Sequence, residues 1–570
     1  MTRPPAGRLV ALLVGMVLAL GGIVVRLGVL QVRESGTYEA LGVEQRVRTE
    51  QLSATRAEIL DRNGSPLAMT LDARDIYANP ALVTDPEGEA TSLAPPLGLK
   101  ERDVAAALRT PNTTFAYIDR GVTPDMAAQI SALALPGIGV LPSERRYYPS
   151  GSIAAQTVGV VNVDGSGITG LEEQYNTALA GTPGERTIEL SATGQPIAGG
   201  VEVDQEPQSG ADLELTIDRQ MQFQTQLYLR EAVTANHAKG GSVIVMDPRT
   251  GEIYAMATYP SFDPNAFSTA NPSDLVNRAV TDSWEPGSVN KTVTAAAALS
   301  SGAVRPSQTF QVPGTRTIEG YTIHDAEPHG TETMTLGDII AHSSNVGISL
   351  VADKVGNQQL AQTFHAFGYG EPTGVGFPGE ASGVVPPGDQ WSDITRATVS
   401  FGAGMSVSPL QMASVYATVA NGGVYVRPSL VHATVGADGV ATPVPPAPER
   451  RVLSRATSKE LTQMLAYAVK DGTGINAQIS GYQVAGKTGT AKKVDAQGKY
   501  IDRYVASFIG FLPASQPRVV IAAILDEPRT VYGGVAAAPL FQHIARYAIQ
   551  RMGIEPSAPV AMPPHRLAAP

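Results

Sequence analysis

The chain has 570 residues, of which 43% are hydrophobic and 17% are charged, so it carries enough apolar side chains for packed cores. Its formal net charge of -11 offers no basic surface for nucleic acid. The absence of cysteine excludes disulfides, thiolate nucleophiles and zinc sites built on cysteine. Lysine is scarce, with only 10 among the 42 basic residues, so a lysine near a hydroxyl side chain stands out.

The N-terminal region predicts a transmembrane anchor over residues 9–32. These 24 mostly apolar residues would form a helix of about 36 Å, which is enough to cross a bilayer. Residues 1–8 carry arginine but no acid, whereas four glutamates accompany three arginines in residues 33–50, so residues 1–8 are predicted to be a short cytoplasmic tail. The alternative is a cleaved signal peptide, but the apolar stretch is long for one and no small-x-small cleavage site directly follows it.

Residues 33–210 are predicted to form an extended, mixed α/β pedestal domain. Strand-like pieces and short helices alternate here, and a glycine- and proline-rich linker, residues 206–210, ends the domain. The predicted elements are strand pieces in Thr70–Pro86 broken at Pro80 and Pro86, helices at Asp103–Leu108 and Pro124–Leu133, a turn at Gly181–Arg186 and a strand at Thr187–Leu190.

Residues 211–555 are predicted to form a second, α+β domain. A strand and a helix open it, two hairpins stand near its two ends, and a helix closes it. These elements are Leu213–Ile217, Asp218–Ala235, Ser242–Met246 with Glu252–Thr258, Tyr504–Leu512 with Arg518–Leu525, and Ala536–Met552. Because strands lie at both ends with helices between them, we expect one antiparallel sheet flanked by helices and shared by both ends of the domain. Residues 556–570, rich in proline and alanine, are predicted to be a disordered tail.

The first chemical motif is Ser288-Val289-Asn290-Lys291, an S-x-x-K ahead of an alanine-rich helix, Thr292–Leu299. We expect Ser288 in the first turn of this helix, with Lys291 three residues on and on the same face. A serine hydroxyl is a poor nucleophile until a base takes its proton, and a partly desolvated lysine can be that base. The helix N-terminus adds N–H groups that favour developing negative charge. Taken alone, this motif is weak.

Two further motifs follow in the chain. Ser343-Ser344-Asn345 is an S-x-N after a helical run, Thr335–Ala341, where a hydroxyl could relay protons and an amide could hold a carbonyl. An ordinary loop or helix cap is the alternative for this tripeptide. Lys487-Thr488-Gly489-Thr490 ends an alternating run, so its strand could pair with an extended peptide while Lys487 meets a carboxylate. Gly489 leaves room for close approach of a substrate.

S-x-x-K, S-x-N and K-T-G in this order are typical of penicillin-binding proteins and serine β-lactamases. Over nearly its whole length the chain resembles the class B penicillin-binding proteins, most closely the septal, penicillin-binding protein 3 type. The matching stretches are residues 56–64, 146–149, 170–175, 277–280, 285–288, 404–411 and 471–474. The chain departs from the family pattern at Ala57, where glycine is usual, and at Val289 and Asn290, which puts the packing of that turn in doubt.

The resemblance implies a D,D-transpeptidase that cross-links peptidoglycan through a serine acyl-enzyme and is a covalent target of β-lactams. Ser288 would be the nucleophile and Lys291 its base, with Ser343 and Asn345 relaying protons and orienting substrate. The residues implied in substrate binding are Lys487, Thr488, Gly489 and Thr490, and the backbone N–H groups of Ser288 and Thr490 would form the oxyanion hole. No cofactor or metal is expected, and His324 and His329 are interpreted as surface or structural residues.

The remaining alternatives differ in class. A β-lactamase is disfavoured by the anchor, the pedestal and the lack of a recognisable deacylating Glu motif, and a signalling receptor by the short N-terminal tail. A division scaffold without catalysis is disfavoured because all three motifs are intact, and an elongation-specific transpeptidase is the nearest rival. The expected partners are stem peptides ending in D-Ala-D-Ala, a SEDS-type membrane glycosyltransferase and other division proteins.

Overall fold

The computed structural model describes residues 6–33, 36, 46–191, 196–446, 448–495 and 497–557. The described parts of residues 1–55 and 181–209 form one unit, and those of 56–180 and 210–570 form another. The predicted tail lies outside the described residues from 558 onward, and the predicted domain boundaries at 33 and 211 stay predictions.

The first unit contains the predicted anchor and a small sheet. The helix Ala6–Gly28 continues as a π-helical turn, Val29–Arg33, and this span is long and apolar enough to cross a membrane. None of the side chains in its apolar stretch is buried by protein, as expected of a helix whose solvent is lipid. The three antiparallel strands run in the order Val47–Leu52, Gly184–Leu190, Pro196–Gln205. The second strand begins inside the predicted turn Gly181–Arg186, so that turn is shorter than predicted.

A seven-stranded sheet in the second unit joins residues from both predicted domains. Its order is Ala441–Pro443, Val431–Val435, Asp212–Leu215, Ile59–Leu60, Pro66–Ala78 and Ala116–Val122, and Ile138–Tyr147 also pairs with Pro66–Ala78. The pairing of Ile59–Leu60 with Asp212–Leu215 is parallel. Strands on both sides of residue 211 therefore share one hydrogen-bonded layer.

The prediction that strand pieces reach Pro86 was wrong. The strand ends at Ala78, and Pro86 begins a helix, Pro86–Leu97, because Asp85 caps it by accepting a 3.1 Å hydrogen bond from the Gly88 N–H. Proline is favoured at the first helical position, where its missing N–H would have no helical partner. This helix and its neighbours Glu101–Leu108 and Pro124–Ala132 pack around Ile76, Leu93, Leu108 and Ile130.

A buried ionic cluster lies beside this sheet. The Glu172 carboxylate, with no exposed surface, accepts from Nε of Arg56 at 2.8 Å and from Nε of Arg146 at 2.7 Å. A charge removed from water is tolerated when it is paired and hydrogen-bonded, and two guanidinium groups satisfy this carboxylate. The cluster links chain segments more than a hundred residues apart, since Arg56 and Glu172 are 116 residues apart in sequence.

The second sheet of the unit has five antiparallel strands, β1 to β5, in the spatial order β2-β1-β5-β4-β3. Both predicted hairpins and the sharing of one sheet by the two ends of the domain are confirmed. The strands are β1 Gly240–Met246, β2 Ile253–Tyr259, β3 Ala485–Val494, β4 Tyr500–Leu512 and β5 Val519–Asp526. The strand β3 is an edge, so its outer N–H and C=O groups have no strand partner in this sheet.

Helices cover both faces of this sheet. They are α1 Arg219–Ala235, α2 Lys291–Ser300, α3 Leu336–Ala341, α4 Asn345–Val355, α5 Pro409–Ala420, α6 Arg455–Lys470 and α7 Gly533–Met552. Alternation along the strands separates two cores, with Val243 and Phe508 packed among residues of α1 and α7, and Ile244 and Ile509 in the core that includes α2 and α5. The other helices and strands are Ala155–Val158, Gly170–Gln174, Asn176–Ala180, Arg278–Thr281, Asn357–Ala366, Asp393–Ser400, Thr309–Val312, Thr315–Ile318, Tyr321–His324, Glu332–Thr335, Val424–Val426 and Glu449–Arg451.

Candidate active site

Ser288 lies in a 3₁₀ turn, Gly287–Asn290, that leads directly into α2. The sequence predicted Ser288 in the first turn of the helix itself, and the tighter turn instead precedes it. Gly287 has a φ of 57°, and a Cβ atom there would come within 2.9 Å of the Thr490 carbonyl oxygen. Glycine tolerates both the left-handed conformation and this approach, which brings the turn against β3.

Val289 and Asn290, the two departures from the family pattern within the serine motif, are fully accommodated. Val289 is buried, and its carbonyl oxygen accepts a 3.0 Å hydrogen bond from the Tyr416 hydroxyl. The amide of Asn290 donates to the Val399 carbonyl at 2.8 Å and accepts from the Tyr369 hydroxyl at 3.0 Å. The oxygen and the nitrogen of the buried Asn290 amide are both hydrogen-bonded. The contacts of Val289 and Asn290 therefore hold the turn in one conformation.

Lys291, the first residue of α2, has no exposed surface. Its Nζ atom lies 2.5 Å from the Ser343 carbonyl oxygen, 3.2 Å from Ser343 Oγ and 2.8 Å from Asn345 Oδ1. Burial and the charge of Lys487 lower the pKa of Lys291 well below its ordinary value, against an opposite effect of the Asp325 carboxylate. A lysine with such a pKa can hold a lone pair at neutral pH, which a general base requires.

The loop Ser343–Asn345 presents its polar atoms to that amine through an uncommon conformation. Ser343 has a φ of 61°, a left-handed value that few residues with a side chain adopt. Ser344 caps α4 by accepting from the Gly347 N–H at 2.7 Å, and Asn345 opens the helix. The Asn345 amide also donates to the His324 carbonyl at 3.1 Å, which leaves its oxygen for Lys291.

Asp325 is a contact of this loop that the sequence did not single out. Its carboxylate accepts from Ser344 Oγ at 2.6 Å, from the Asn345 N–H at 2.5 Å and from His329 Nε2 at 3.0 Å. Burial acts to raise the pKa of Asp325, but hydrogen bonds from Ser344, the Val346 N–H and His329, together with the charge of Lys291, outweigh it and the pKa lies below its usual value. In sequence Asp325 stands in the spacer between two histidines, and no local pattern ties it to a loop 19 residues later.

The K-T-G-T motif lies on a strand, as predicted, and near the start of the edge strand β3. Lys487 has no exposed surface, and its Nζ atom lies 3.2 Å from Thr488 Oγ1 and 3.3 Å from Thr473 Oγ1. Burial lowers the pKa of Lys487 to about 7. Thr473, whose hydroxyl lies 2.7 Å from that of Thr488, is a second residue that the sequence did not assign, although it falls in the matching stretch 471–474.

Gly489 and Thr490 bring β3 against the nucleophile turn. A Cβ atom on Gly489 would come within 2.3 Å of Ser507 Oγ and 3.1 Å of the Val289 side chain, so glycine is required for this contact. The Thr490 hydroxyl accepts from the Gly533 N–H at 3.2 Å, which ties β3 to the start of α7. The structure therefore places all three motifs at one junction between β3, α2 and α4.

Comparison with known proteins agrees with this geometry. Residues 241–546 match the model of the penicillin binding protein transpeptidase domain, and residues 51–215 match that of the penicillin-binding protein dimerisation domain. Peptidoglycan D,D-transpeptidase FtsI of Escherichia coli (strain K12) is 37% identical over 558 residues, which covers 96% of this chain and 92% of that protein. Penicillin-binding protein PbpB of Mycobacterium tuberculosis is 37% identical over 567 residues, 94% of this chain and 83% of that protein.

Solved structures give the same result. The crystal structure of penicillin binding protein 3 from Mycobacterium tuberculosis complexed with aztreonam superposes with a TM-score of 0.72 at 33% identity, covering 90% of this chain and all of that one. A peptidoglycan synthetase from Bifidobacterium adolescentis gives a TM-score of 0.75 at 29% identity, with 91% of this chain covered. These matches confirm the predicted α+β fold class, and the chain belongs to the class B penicillin-binding proteins, with a dimerisation domain followed by a transpeptidase domain.

Proposed function

We propose that this chain, a septal-type peptidoglycan D,D-transpeptidase, forms its acyl-enzyme on Ser288. The observation that carries the assignment is the fully buried Lys291, which follows Ser288 by three residues and is held by Ser343 and Asn345 at 2.5 and 2.8 Å. Burial lowers the pKa of Lys291, and a lysine so placed has a lone pair available for the Ser288 proton.

In the acylation step, Ser288 Oγ attacks the carbonyl carbon between the two terminal D-Ala residues of a donor stem peptide while Lys291 takes the hydroxyl proton. The C–N bond then breaks, and the terminal D-Ala leaves as an amine after receiving a proton, for which Ser343 and Asn345 provide the relay. An acceptor amine next attacks the ester, gives up a proton and releases the Ser288 hydroxyl. The backbone N–H groups of Ser288 and Thr490 hold the oxyanion, and each such donor is worth about 3 kcal/mol.

The edge strand β3 binds the donor stem peptide. Its free hydrogen-bonding edge suits an extended peptide, and Gly489 lets this strand lie against the nucleophile turn. Lys487, Thr488 and Thr490 bind the terminal carboxylate, because a cation beside hydroxyl donors matches that group. Lys487 is only partly protonated near pH 7 in the free enzyme, and an arriving carboxylate favours its protonated form.

The chain acts at a membrane. The apolar helix anchors it, and the surplus of arginine before that helix favours a cytoplasmic N-terminus with the catalytic domain on the outer side. A transpeptidase joins peptides on glycan strands that another enzyme must supply, and we infer a SEDS-type membrane glycosyltransferase as that partner, acting with other division proteins. β-Lactams are covalent inhibitors, since they present a strained analogue of the carbonyl that Ser288 attacks.

The test is to label the full chain in detergent with a fluorescent penicillin and to map the adduct by mass spectrometry. A single adduct on Ser288 is expected, and Ser288→Ala should lose it with an unchanged melting temperature. Ser283→Ala is the matched control, because Ser283 is an exposed serine five residues before Ser288. An adduct on another residue, or none with a range of β-lactams, would overturn the assignment.

A further inference from the structure

Four hydrogen-bond donors from two chain segments converge on the carboxylate of Asp325. Oδ1 accepts from the N–H groups of Asn345 at 2.5 Å and Val346 at 3.0 Å. Oδ2 accepts from the Ser344 hydroxyl at 2.6 Å and faces His329 Nε2 at 3.0 Å. Each carboxylate oxygen therefore accepts two hydrogen bonds. The residue is only 9% exposed, so its side chain is held in this position.

Two of these donors, the Ser344 hydroxyl and the Asn345 N–H, belong to the Ser343–Asn345 loop that holds Lys291, and the Val346 N–H follows directly in α4. The left-handed Ser343 conformation persists only where the surroundings fix it. Asp325 fixes its C-terminal flank, because it binds the first two N–H groups of α4 together with the Ser344 side chain that caps the helix. A carboxylate is also the group that a helix N-terminus favours electrostatically. The neighbouring His324 carbonyl accepts from the Asn345 amide, which directs the amide oxygen to Lys291.

The same carboxylate acts on Lys291 through its charge. The charged groups around Asp325 are His329, whose other ring nitrogen lies 3.9 Å from Glu332, and Lys291 on the far side of Asn345. The negative charge of Asp325 favours the protonated form of Lys291, whereas burial and the charge of Lys487 favour the neutral form. The segment 324–329 lies outside the catalytic motifs. It affects both the position of the Lys291 amine and the protonation of that amine.

We propose that Asp325 is a positioning residue for acylation, which fixes the Ser343–Asn345 loop against Lys291 and balances the charge on that lysine, while His329 holds the Asp325 carboxylate in place. The inference rests on the proposed role of Lys291 as the base. It predicts that the side chain of Asp325 affects the acylation rate and its pH dependence without contacting substrate.

The test compares Asp325→Asn with Asp338→Asn, a matched control. Asp338 is also a buried helix-capping carboxylate, 7% exposed, which accepts from the Thr335 N–H at 2.8 Å and the Thr335 hydroxyl at 2.7 Å at the start of α3. The rate of acylation by a fluorescent penicillin is measured against pH for the full chain in detergent, together with melting temperatures. Wild type and Lys291→Met are measured in parallel.

Asp325→Asn should lower the plateau rate at least tenfold and move the acid limb of the profile to lower pH. The direction follows because losing a negative charge stabilises the neutral amine, so that Lys291 stays deprotonated at lower pH. Asp338→Asn should lower the melting temperature but leave the plateau rate within about twofold and the acid limb in place. A structural role alone would lower the rate of Asp325→Asn without moving the limb.

Two outcomes would overturn the inference: an Asp325→Asn profile like that of Asp338→Asn, or a lower rate with an unmoved acid limb. If Asp325→Asn does not fold, Ser344→Ala removes one donor to the carboxylate without changing any charge. Its plateau rate should fall at least fivefold, and a rate within twofold of wild type would contradict the positioning role. Normal acylation by Lys291→Met would instead show that Lys291 is not the base, which separates a failure of the proposed function from a failure of Asp325.

Discussion

The Nζ atom of Lys291 lies 2.5 Å from the backbone carbonyl oxygen of Ser343, a residue in a left-handed conformation. A carbonyl oxygen can only accept, so this contact occupies one N–H of the lysine and fixes the amine. When the amine is neutral and donates its second N–H to Asn345 Oδ1, its lone pair remains for the third contact, Ser343 Oγ, or for the nucleophile. The conformation of Ser343 thus determines where a proton can enter and leave the site.

Replacing Lys291 with arginine or methionine should abolish acylation. A guanidinium has a pKa above about 12 and cannot take the Ser288 proton, while a thioether has no basic nitrogen. Because Lys291 is fully buried, Lys291→Met should leave the melting temperature near that of wild type, whereas the larger, obligatorily charged arginine should lower it. Labelling with fluorescent penicillin measures the loss, and acylation within tenfold of wild type in Lys291→Met would show that another group is the base.

Deleting residues 1–32 should yield a soluble protein that binds penicillin at the wild-type rate. The apolar helix buries no residue of its span within the protein, while the catalytic sheet and its helices form cores of their own. In cells the exported soluble form should not support septum formation, since it loses its place at the membrane. Full complementation by that form would contradict the need for the anchor.

Much of the catalytic fold could be predicted because its signals are local. Alternation predicted two hairpins of the five-stranded sheet, and the S-x-x-K, S-x-N and K-T-G spacings predicted the motifs that the structure brings together. The sharing of a seven-stranded sheet across residue 211 could not be predicted, because the pairing of Ile59–Leu60 with Asp212–Leu215 joins residues 154 positions apart. The helix Pro86–Leu97 was missed because the proline at its start was interpreted as a strand breaker.

The unpredicted parts of the site share one physical reason. Asp325 lies outside every matching stretch, and Thr473 lies in a matching stretch that had no assigned role; each acquires its role by folding against a residue of another motif. The left-handed Ser343 is equally invisible, since serine seldom adopts that conformation without tertiary support. Motifs therefore report the groups that react, while the groups that hold them appear only in three dimensions.

Replacing Glu172 with alanine should destabilise the unit that contains the active site. The change leaves Arg56 and Arg146, both almost fully buried, without their shared carboxylate, and breaking such a pair costs about 3–5 kcal/mol. Asp103→Ala is the control, since its contact with Arg102 is exposed and worth about 1 kcal/mol or less. Chemical denaturation of the full chain in detergent measures both, and equal small effects would show that the buried cluster is dispensable for stability.

The pH dependence of donor binding should report Lys487. Burial lowers the pKa of this lysine to about 7, so the free enzyme loses the cation as the pH rises through 7. Since the terminal carboxylate requires the protonated form, the second-order rate of acylation by a thioester analogue with a free carboxylate should fall as the pH rises through about 7 and flatten below it. An analogue with an esterified carboxylate should lack this alkaline limb, and the same limb for both analogues would assign it to another group.

Replacing Lys487 with alanine tests carboxylate recognition apart from nucleophile activation. The change removes a cation without replacing Ser288 or Lys291, so the rate for the free-carboxylate analogue should fall by about 2–3 kcal/mol in activation free energy, the usual loss for a charged, partly desolvated hydrogen bond. The esterified analogue already lacks that contact and should lose much less. The two analogues on the two enzymes form a double-mutant cycle, in which the coupling energy isolates the contact between Lys487 and the carboxylate.

Because the charge of Lys487 also lowers the pKa of Lys291, its loss should move the acid limb of both analogues to higher pH by the same amount, and the comparison is therefore made on the plateau. Equal losses on that plateau would mean that Lys487 does not bind the carboxylate and acts through Thr473 and Thr488, the hydroxyls it contacts at 3.3 and 3.2 Å.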